Sequence, residues 1–270
     1  MSDCVLRAQD VVKTFRRRRK LFRPRPPALR AVGGVTLDVQ RGRTLGIVGE
    51  SGCGKSTLAR MMVGLLEPTE GRLEIDGASI PELARRDRRS LHRRVQMVFQ
   101  DPLGSLNPRK TVRQILTAPL LALHGMDRAA CRGRVAELMD LVSLRADFSD
   151  RYPHEFSGGQ SQRIGIARAL AAQPEVIVLD EPVSALDVSV QAQVLMLLAD
   201  LQARLGLTYV FISHDLAVVE TIAHTVAVMQ GGKVVEHASA ERIFAHPQHP
   251  YTRLLLASVP TIPEAVTVPA

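Results

Sequence analysis

The sequence predicts an α/β fold in which a mostly parallel sheet carries an antiparallel β layer and an inserted α-helical subdomain. Short β-branched runs alternate with helix-like runs, and a glycine-rich loop joins one of each in "GIVGESGCGKSTLARMMVGLL" at residues 46–66. Residues 103–165 hold helix-like patterns between two strand-like runs. The chain has 270 residues, 46% of them hydrophobic, which is enough for one large domain or a domain with a subdomain.

The antiparallel layer is predicted from three runs near the start of the chain and after the glycine-rich loop. These runs are "VLRAQDVVKTF", "LRAVGGVTLDV" and "GRLEIDG". Glycine-containing pairs favour turns, so the pairs Gly33-Gly34 and Arg41-Gly42 are predicted to supply turns in this layer.

The central sheet is predicted from five apolar, β-branched runs. In chain order they are "TLGIVG", "VQMVF", "VIVLD", "YVFIS" and "VAVMQ". Two helix-like runs, "TVRQILTAPLLALHG" and "CRGRVAELMDLVSL", fall between the second and third strands and predict the helical subdomain. The chain ends in "HPQHPYTRLLLASVPTIPEAVTVPA", which predicts one short helix followed by a Pro-rich end that we expect to fray.

The glycine-rich loop has the spacing of a phosphate-binding loop, with Gly49, Gly54, Lys55 and Ser56 in the pattern G-x-x-x-x-G-K-S. Its backbone N–H groups and the following helix N-terminus suit an anion, so the predicted ligand is a nucleoside triphosphate. Lys55 would reach the β- and γ-phosphates and Ser56 would bind Mg²⁺. A turn with a chance lysine is the alternative, but strand, loop and helix all agree. The predicted nucleotide-binding residues of the loop are Gly49, Glu50, Ser51, Gly52, Cys53, Gly54, Lys55, Ser56 and Thr57, with no catalytic role for Cys53.

Two carboxylates follow the strand-like run in "VIVLDEP". Ligands bind at the carboxyl ends of strands in open α/β sheets, which is where these two side chains would lie. Asp180 could hold Mg²⁺ through water, and Glu181 could orient or deprotonate the attacking water. An acidic strand end is common by itself, and the phosphate loop is what favours the functional interpretation.

A second anion site is predicted where "EFSGGQSQRIGIARALAAQPEVIVLDEP" opens a helix. The residues concerned are Ser157, Gly158, Gly159 and Gln160. Two such sites on one chain imply a nucleotide held between two chains. The alternative is an ordinary helix cap.

Charge and cysteine usage limit the possible partners. The formal net charge of +8 is concentrated in "FRRRRKLFRPRPPALR" and "RRDRRSLHRR". These patches could be solvated faces, could be attracted to an anionic membrane surface, or could bind nucleic acid. Aromatic residues make up only 4% of the chain, so we expect no specific nucleic acid partner. Cys4, Cys53 and Cys131 are few and far apart, which is typical of the cytosol. The sequence shows neither a signal peptide nor a membrane-spanning run, so any membrane role is expected through partners.

The motifs "GESGCGKST", "FQD", "FSGGQSQR", "VIVLDEP", "SALD" and "ISHD" stand in this order along the chain. In order and spacing they resemble the ATP-binding subunits of ABC transporters, which implies a P-loop NTPase core, ATP and Mg²⁺. The resemblance implies that Gln100 touches the metal or the attacking water, that Asp187 crosses the dimer and that His214 contacts the γ-phosphate. Phe15 resembles the aromatic residue that stacks on adenine, with a buried strand phenylalanine as the alternative.

Narrower features resemble the peptide and nickel importers, specifically the second ATPase of their pair. They are "KLFRPRPPALRAVGGVTLDVQRGRTLGIVGESGCGKSTLAR", "FQDPLGSLNPRKTV" and "HPQHPYTRLLLASVP". The resemblance implies an ATP-binding domain over residues 1–245 and a C-terminal extension over residues 246–270. It also implies a place on the cytoplasmic face of the membrane, with permease subunits, a second ATPase subunit and, indirectly, a solute-binding protein.

Two other classes compete with an importer ATPase. A soluble ABC ATPase acting on nucleic acid or ribosomes would carry a long coiled coil between phosphate loop and signature, or two cassettes in one chain, and this sequence has neither. A small-molecule kinase would have no use for "FSGGQ". The transported solute, whether dipeptide, oligopeptide, nickel or another, stays open.

Overall fold

The computed structural model describes residues 3–15 and 28–258. Most of the first basic segment, residues 16–27, therefore lies outside the described residues, as do residues 259–270 with the predicted fraying end.

The regular elements alternate along the chain as the sequence predicts. The strands are β1 (Cys4–Phe15), β2 (Leu29–Gln40), β3 (Thr44–Val48), β4 (Glu70–Ile75), β5 (Ala78–Ser79), β6 (Val95–Val98), β7 (Val176–Asp180), β8 (Thr208–Ile212), β9 (Thr225–Gln230) and β10 (Lys233–Ser239). The α-helices are α1 (Lys55–Met62), α2 (Ile80–Arg86), α3 (Arg88–Arg94), α4 (Pro102–Ser105), α5 (Val112–Pro119), α6 (Arg128–Leu141), α7 (Gly158–Leu170), α8 (Val188–Leu205), α9 (Leu216–Ile222), α10 (Ala240–Ala245) and α11 (Pro250–Ala257).

In the described part of the chain the central sheet has six strands in the order β10-β9-β3-β8-β7-β6. The five predicted strands are confirmed, and they run parallel to one another. β10 was not predicted; it pairs antiparallel with β9 at the sheet edge. Every residue of β3, β7 and β8 is buried because both faces of this sheet are covered.

The predicted antiparallel layer is confirmed as a sheet of order β2-β1-β4-β5. The turn at Arg41 and Gly42 is also confirmed, since Arg43 N–H donates to Gln40 O at 3.2 Å between β2 and β3. The predicted turn at Gly33-Gly34 is wrong, because both residues lie inside β2. There the pairing with β1 shifts register, and Gly34 uses its φ of 90° for a bulge. The conformational freedom of glycine bends the strand without reversing it.

The predicted helices between the second and third core strands are confirmed as α5 and α6. Every regular element between β6 and β7, all of it within residues 28–258, is helical. The helices and the antiparallel layer bury two large apolar clusters, one on each side of the parallel sheet. The sheet is thereby held rigidly between layers, which fixes the position of its strand ends.

An ion-pair network joins the two sheets beside the β4–β5 turn. Arg41 reaches Asp76 at 2.6 Å and Glu175 at 2.7 Å, and Arg94 reaches Glu175 at 3.0 Å and also pairs with Asp76. Burial would raise the pKa of Glu175, but the hydrogen bonds from Arg41 and Arg94 outweigh it and lower that pKa overall. Within residues 3–15 and 28–258 there is no helix with the length and apolar character needed to cross a membrane.

Candidate functional site

Four neighbouring parallel strands bring the sequence motifs to one edge of the sheet. The chain leaves β3 into the loop that begins at Gly49, leaves β6 toward Gln100, leaves β7 at Asp180 and leaves β8 toward His214. Because the carboxyl ends of parallel strands meet at the same edge, residues far apart in sequence become neighbours there. The sheet order therefore builds the site.

A cavity of about 500 Å³ lies at this edge. Its lining residues are Phe15, Leu29, Ala31, Ser51, Gly52, Gly54, Lys55, Ser56, Thr57, Gln100, Glu181 and His214. The volume lies within the range of small-molecule sites. A larger cleft of about 730 Å³ beside Arg41 and Asp76 contains none of the motif residues, so the chemistry points to the smaller one.

The phosphate loop needs glycine at two positions where the backbone is crowded. Gly49 has a φ of 147°, and a Cβ atom there would lie 2.1 Å from Met229 O. Gly54 has a φ of 110°, and a Cβ there would lie 2.2 Å from Ala31 O. Gly54 is also the N-cap of α1 and provides no side-chain hydrogen bond to it. The first N–H groups of α1 have no side-chain cap, which suits an anion.

Lys55 is almost fully buried, with 4% of its surface exposed. Its Nζ atom donates to Gly49 O at 2.6 Å and to Glu50 O at 2.8 Å. The loop thus curls around its own ammonium group and presents a positive charge to the cavity. Such a charge stabilises an anionic ligand more strongly here than in open water.

A hydroxyl and a carboxylate meet next to this lysine. Ser56 Oγ donates to Asp180 Oδ1 at 2.9 Å, joining the start of α1 to the end of β7. Asp180 is 5% exposed, and burial raises its pKa, with the Glu181 carboxylate adding to the effect and the Ser56 hydrogen bond opposing it. Two hard oxygen ligands lie together, the kind of ligand that Mg²⁺ prefers.

Glu181 carries the second carboxylate of the site on a constrained backbone. Its φ is 48°, a conformation uncommon outside glycine. Its N–H donates to Ile212 O at 2.9 Å. Its Oε2 atom accepts from Gln100 Nε2 at 3.0 Å and lies 3.2 Å from His214 Nδ1. The carboxylate is held between groups that follow the two strands flanking its own.

Phe15 is the last residue of β1 and is 38% exposed. The alternative of a buried strand phenylalanine is therefore wrong. Its ring lines the cavity, and Lys13 Nζ lies 5.5 Å from the ring centroid. An exposed ring at the mouth of a cavity can stack on a flat ligand.

The second group of predicted binding residues does not line this cavity. Ser157 Oγ accepts from Gln160 N–H at 3.3 Å, and Gln160 Oε1 accepts from Ser157 N–H at 3.1 Å. Asp187 caps α8 by accepting from Val190 N–H at 3.0 Å. Within the single chain, Ser157 and Asp187 therefore act as helix caps, and Ser157 and Gln160 together form a capping box. The two helix starts are adjacent, since a Cβ on Gly159 would lie 2.4 Å from Val190 Cγ1.

The sequence interpretation missed one residue that touches the phosphate loop. Tyr251 Oη accepts from Glu50 N–H at 3.2 Å, across 201 residues of chain. Burial raises the pKa of Tyr251, so the hydroxyl stays protonated. The run "HPYT" was visible in the sequence, but no local pattern could say which loop its tyrosine reaches.

Comparison with known proteins agrees with this geometry. A family model described as ABC transporter matches residues 32–184, and one described as oligopeptide/dipeptide transporter, C-terminal region, matches residues 235–268. The chain belongs to the ABC transporter family. The resemblance found in the sequence motifs is thus confirmed, including the C-terminal region typical of peptide transporters.

Curated relatives share about half of their aligned residues with the chain. The oligopeptide transport ATP-binding protein OppD of Mycobacterium tuberculosis is 51% identical over 96% of this chain, which spans only 42% of that protein. The oligopeptide transport ATP-binding protein AppF of Bacillus subtilis is 50% identical over 96% of this chain and 79% of its own length.

A solved structure has the same fold as this chain. The ATP-binding cassette MJ0796, in a dimeric post-hydrolysis state bound to ADP and Pi, superposes with a TM-score of 0.75 at 29% identity. The match covers 87% of this chain and 98% of that one. The predicted P-loop NTPase core is confirmed.

Proposed function

We propose that this chain is the ATP-hydrolysing subunit of a bacterial ABC import complex that powers uptake of peptides or a related small solute such as nickel. One observation carries the proposal: Lys55, Ser56, Gln100, Glu181 and His214 line a single cavity at the carboxyl edge of the parallel sheet. The match of residues 235–268 to the C-terminal region of oligopeptide and dipeptide transporters supports the cargo class.

The phosphate loop binds the triphosphate in this proposal. The uncapped N–H groups at the start of α1 and the buried ammonium of Lys55 stabilise the phosphate charges. Phe15 stacks on the adenine ring at the other end of the cavity. The remaining loop residues shape the backbone, and Cys53 has no catalytic role.

Mg²⁺ fits the oxygen pair formed by Ser56 and Asp180, and Ser56 and Gln100 both line the cavity. When bound, the ion would neutralise charge on the phosphate oxygens. The residues that would hold it are Ser56, Asp180 and Gln100. Asp180 would hold the ion through a water molecule, beside the hydroxyl of Ser56 that donates to it.

Glu181 acts as the general base for the attacking water. Its carboxylate faces the cavity, and its Oε2 atom is already held by Gln100 and lies beside His214. His214 contacts the γ-phosphate, and Gln100 links the water to the helical region. A general base fixed in place close to the reacting water typically contributes about 10²–10⁴-fold to the rate.

Each site is shared between two ATPase subunits. Ser157, Gly158, Gly159 and Gln160 complete the site of the partner, and Asp187 crosses the same interface. Ser157, Gly158 and Asp187 are exposed in the single chain, and none of them lines the chain's own cavity, which supports this arrangement. The partner is a second, different ATPase subunit, as the pairing of importer ATPases implies.

The complex holds this chain at the cytoplasmic face of the inner membrane. Permease subunits provide the membrane-spanning path, and a solute-binding protein delivers cargo to them. Residues 1–245 form the ATP-binding domain, with a helical subdomain over residues 103–165, and residues 246–270 form a C-terminal extension. The basic surface contributes no specific nucleic acid binding.

Reconstitution in proteoliposomes tests this function. The chain, its partner ATPase and their permease subunits should take up peptide in the presence of ATP and the solute-binding protein, and should not do so without ATP. ATP hydrolysis that is independent of the permease, combined with tight, sequence-selective nucleic acid binding at physiological salt, would contradict the importer and favour a soluble ABC ATPase.

A further inference from the structure

The peptide group between Gly49 and Glu50 is hydrogen-bonded at both ends, to Tyr251 at its N–H and to Lys55 at its C=O. Glu50 N–H donates to Tyr251 Oη at 3.2 Å. Gly49 O, which belongs to the same peptide group, accepts from Lys55 Nζ at 2.6 Å. The peptide plane between Gly49 and Glu50 is therefore fixed from both sides, by a tyrosine in α11 on one and by the phosphate-binding lysine on the other.

Tyr251 is placed by contacts that leave it little freedom. It is 6% exposed, and its ring belongs to the same apolar cluster as Val48, the residue just before the loop. His249 caps α11, with its Nδ1 accepting from Tyr251 N–H at 3.2 Å, and Pro250 occupies the first turn. The tyrosine is thus fixed at both its ring and its backbone.

The start of α11 is tied in turn to the edge of the central sheet. Glu236 on β10 accepts from Gln248 N–H at 2.8 Å and from His249 N–H at 3.0 Å. A carboxylate that receives two backbone N–H groups forms stronger hydrogen bonds than neutral acceptors do. A continuous set of contacts runs from β10 through the start of α11 to the phosphate loop.

The loop has a reason to need this support. Gly49 lies in a conformation that only glycine adopts readily, and its backbone is crowded against Met229 O. If the peptide group after Gly49 rotated, Gly49 O would turn away from Lys55 and the ammonium would lose one of its two backbone acceptors. Tyr251 opposes that rotation by holding the N–H at the other end.

We propose that Tyr251 is a positioning residue of the nucleotide site, which sets the orientation of the peptide between Gly49 and Glu50 and through it the position of Lys55. The inference rests on the proposed function, because it takes the triphosphate as the ligand of the loop. It gives residues 246–258 a role in nucleotide affinity. The tyrosine itself contacts no reacting atom.

The test is Tyr251→Phe in the full chain, which removes one oxygen atom and keeps the buried ring. The expected result is a rise of about fivefold in the Kd for ATP and for inorganic tripolyphosphate, the effect of one ordinary hydrogen bond. The Kd for adenosine should stay unchanged, because adenosine lacks the phosphates that the loop binds. At this chain's own site in the assembled complex the KM for ATP should rise by the same factor, with kcat within about twofold of wild type.

The chain offers a matched control in Tyr209→Phe. Tyr209 is also buried, and its hydroxyl donates to Leu198 O at 3.0 Å, inside the core between β8 and α8. This variant also loses the single hydrogen bond given for a buried tyrosine hydroxyl, here a donated one, and should lose stability, but its affinities for ATP and tripolyphosphate should equal those of wild type. A purely structural role for Tyr251 would make the two variants behave alike.

A second variant tests the anchoring of α11. Glu236→Gln should also raise the Kd for tripolyphosphate. In the double variant with Tyr251→Phe, the Kd should rise by less than the product of the two separate fold-increases, because both substitutions act through one hydroxyl. Wild-type tripolyphosphate affinity in Tyr251→Phe, or equal losses for adenosine and tripolyphosphate, would overturn the inference. Failure of the wild-type chain to bind ATP would overturn the proposed function and this inference with it.

Discussion

The Oε2 atom of Glu181 lies 3.2 Å from Nδ1 of His214, and Gln100 Nε2 donates to the same oxygen at 3.0 Å. Glu181 follows β7, while the other two residues follow the strands on either side of it. The carboxylate is thus oriented by residues that follow both neighbouring strands. An oriented base loses little entropy on reaching the reactive geometry, which favours catalysis.

Phe15 is expected to contribute to nucleotide affinity without contributing much to stability, because its ring is exposed at the cavity. Phe15→Ala should weaken ATP binding about tenfold, given that stacking of a base on an aromatic ring is worth ~1–3 kcal/mol. Binding of tripolyphosphate, which has no base, should be unchanged. Calorimetric titration with each ligand provides the measurement. Phe15→Leu is the control, because leucine keeps an apolar side chain but lacks the aromatic ring. Equal weakening for both ligands would remove the stacking role.

Gly49 and Gly133 make a matched pair of glycines with opposite expectations. A Cβ on Gly49 would lie 2.1 Å from Met229 O, whereas a Cβ on Gly133, exposed within α6, meets no atom within 4 Å. Gly49→Ala should destabilise the fold by ~1–3 kcal/mol and abolish ATP binding. Gly133→Ala should stabilise it by ~0.5–1 kcal/mol and leave ATP binding intact. Urea unfolding and ATP titration measure both, and an ATP-binding Gly49→Ala variant would contradict the crowded loop.

The predictions from sequence succeeded where the signal was local. The five core strands and the helices α5 and α6 were predicted correctly, because each has a characteristic composition within a few residues. The pair Gly33-Gly34 failed because glycine permits positive φ in a turn and in a bulge alike, and only the pairing with β1 decides between them. β10 was missed because its edge position leaves it only half-buried, with polar residues along it.

Contacts between distant parts of the chain could not be predicted. The hydrogen bond between Tyr251 and Glu50 depends on how α11 packs on the sheet, and no pattern within either segment records that packing. The ion pairs of Glu175 with Arg41 and Arg94 depend likewise on the approach of two sheets. In contrast, the contact between Ser56 and Asp180 can be predicted once β3 and β7 are known to be parallel, because both residues then lie at the carboxyl edge of the sheet.

Glu175 is expected to give a pH-dependent contribution to stability. Its pKa is lowered in the folded protein, so its contribution is present above the unfolded value near 4.5 and is lost as pH falls through the folded value. Glu175→Gln should reduce the free energy of unfolding by about 1 kcal/mol at pH 7 and by less at pH 3.5. The value at pH 7 is small because Glu175 is partly exposed and solvent screens its ion pairs. Urea unfolding at both pH values measures this. Glu220→Gln, exposed on α9, is the control and should have little effect at either pH. A constant loss for Glu175→Gln would contradict the pKa argument.

The shared-site arrangement predicts that a change at Ser157 acts on the partner. Ser157→Arg places a bulky cation at the start of α7, so the chain alone should bind ATP normally while hydrolysis at the partner's site falls in the assembled complex. Glu181→Gln in the same chain leaves the partner's site as the source of remaining turnover. Ser239→Arg is the control, because Ser239 likewise caps a helix, accepting from Arg242 N–H at 3.4 Å in α10. Unchanged turnover with Ser157→Arg would contradict the shared site.

Site-resolved ATP hydrolysis in the assembled complex carrying Glu181→Gln, which measures turnover at this chain's own site, tests the central claim most directly. If Glu181 is the general base at a site where Lys55 binds the phosphates, ATP affinity should stay near wild type while turnover at this chain's site falls by about 10²–10⁴-fold. Lys55→Ala, in contrast, should weaken ATP binding itself, because it removes a direct charge partner of the phosphates. Near-wild-type turnover at this chain's own site in Glu181→Gln, or an equal loss of ATP binding in both variants, would contradict the account.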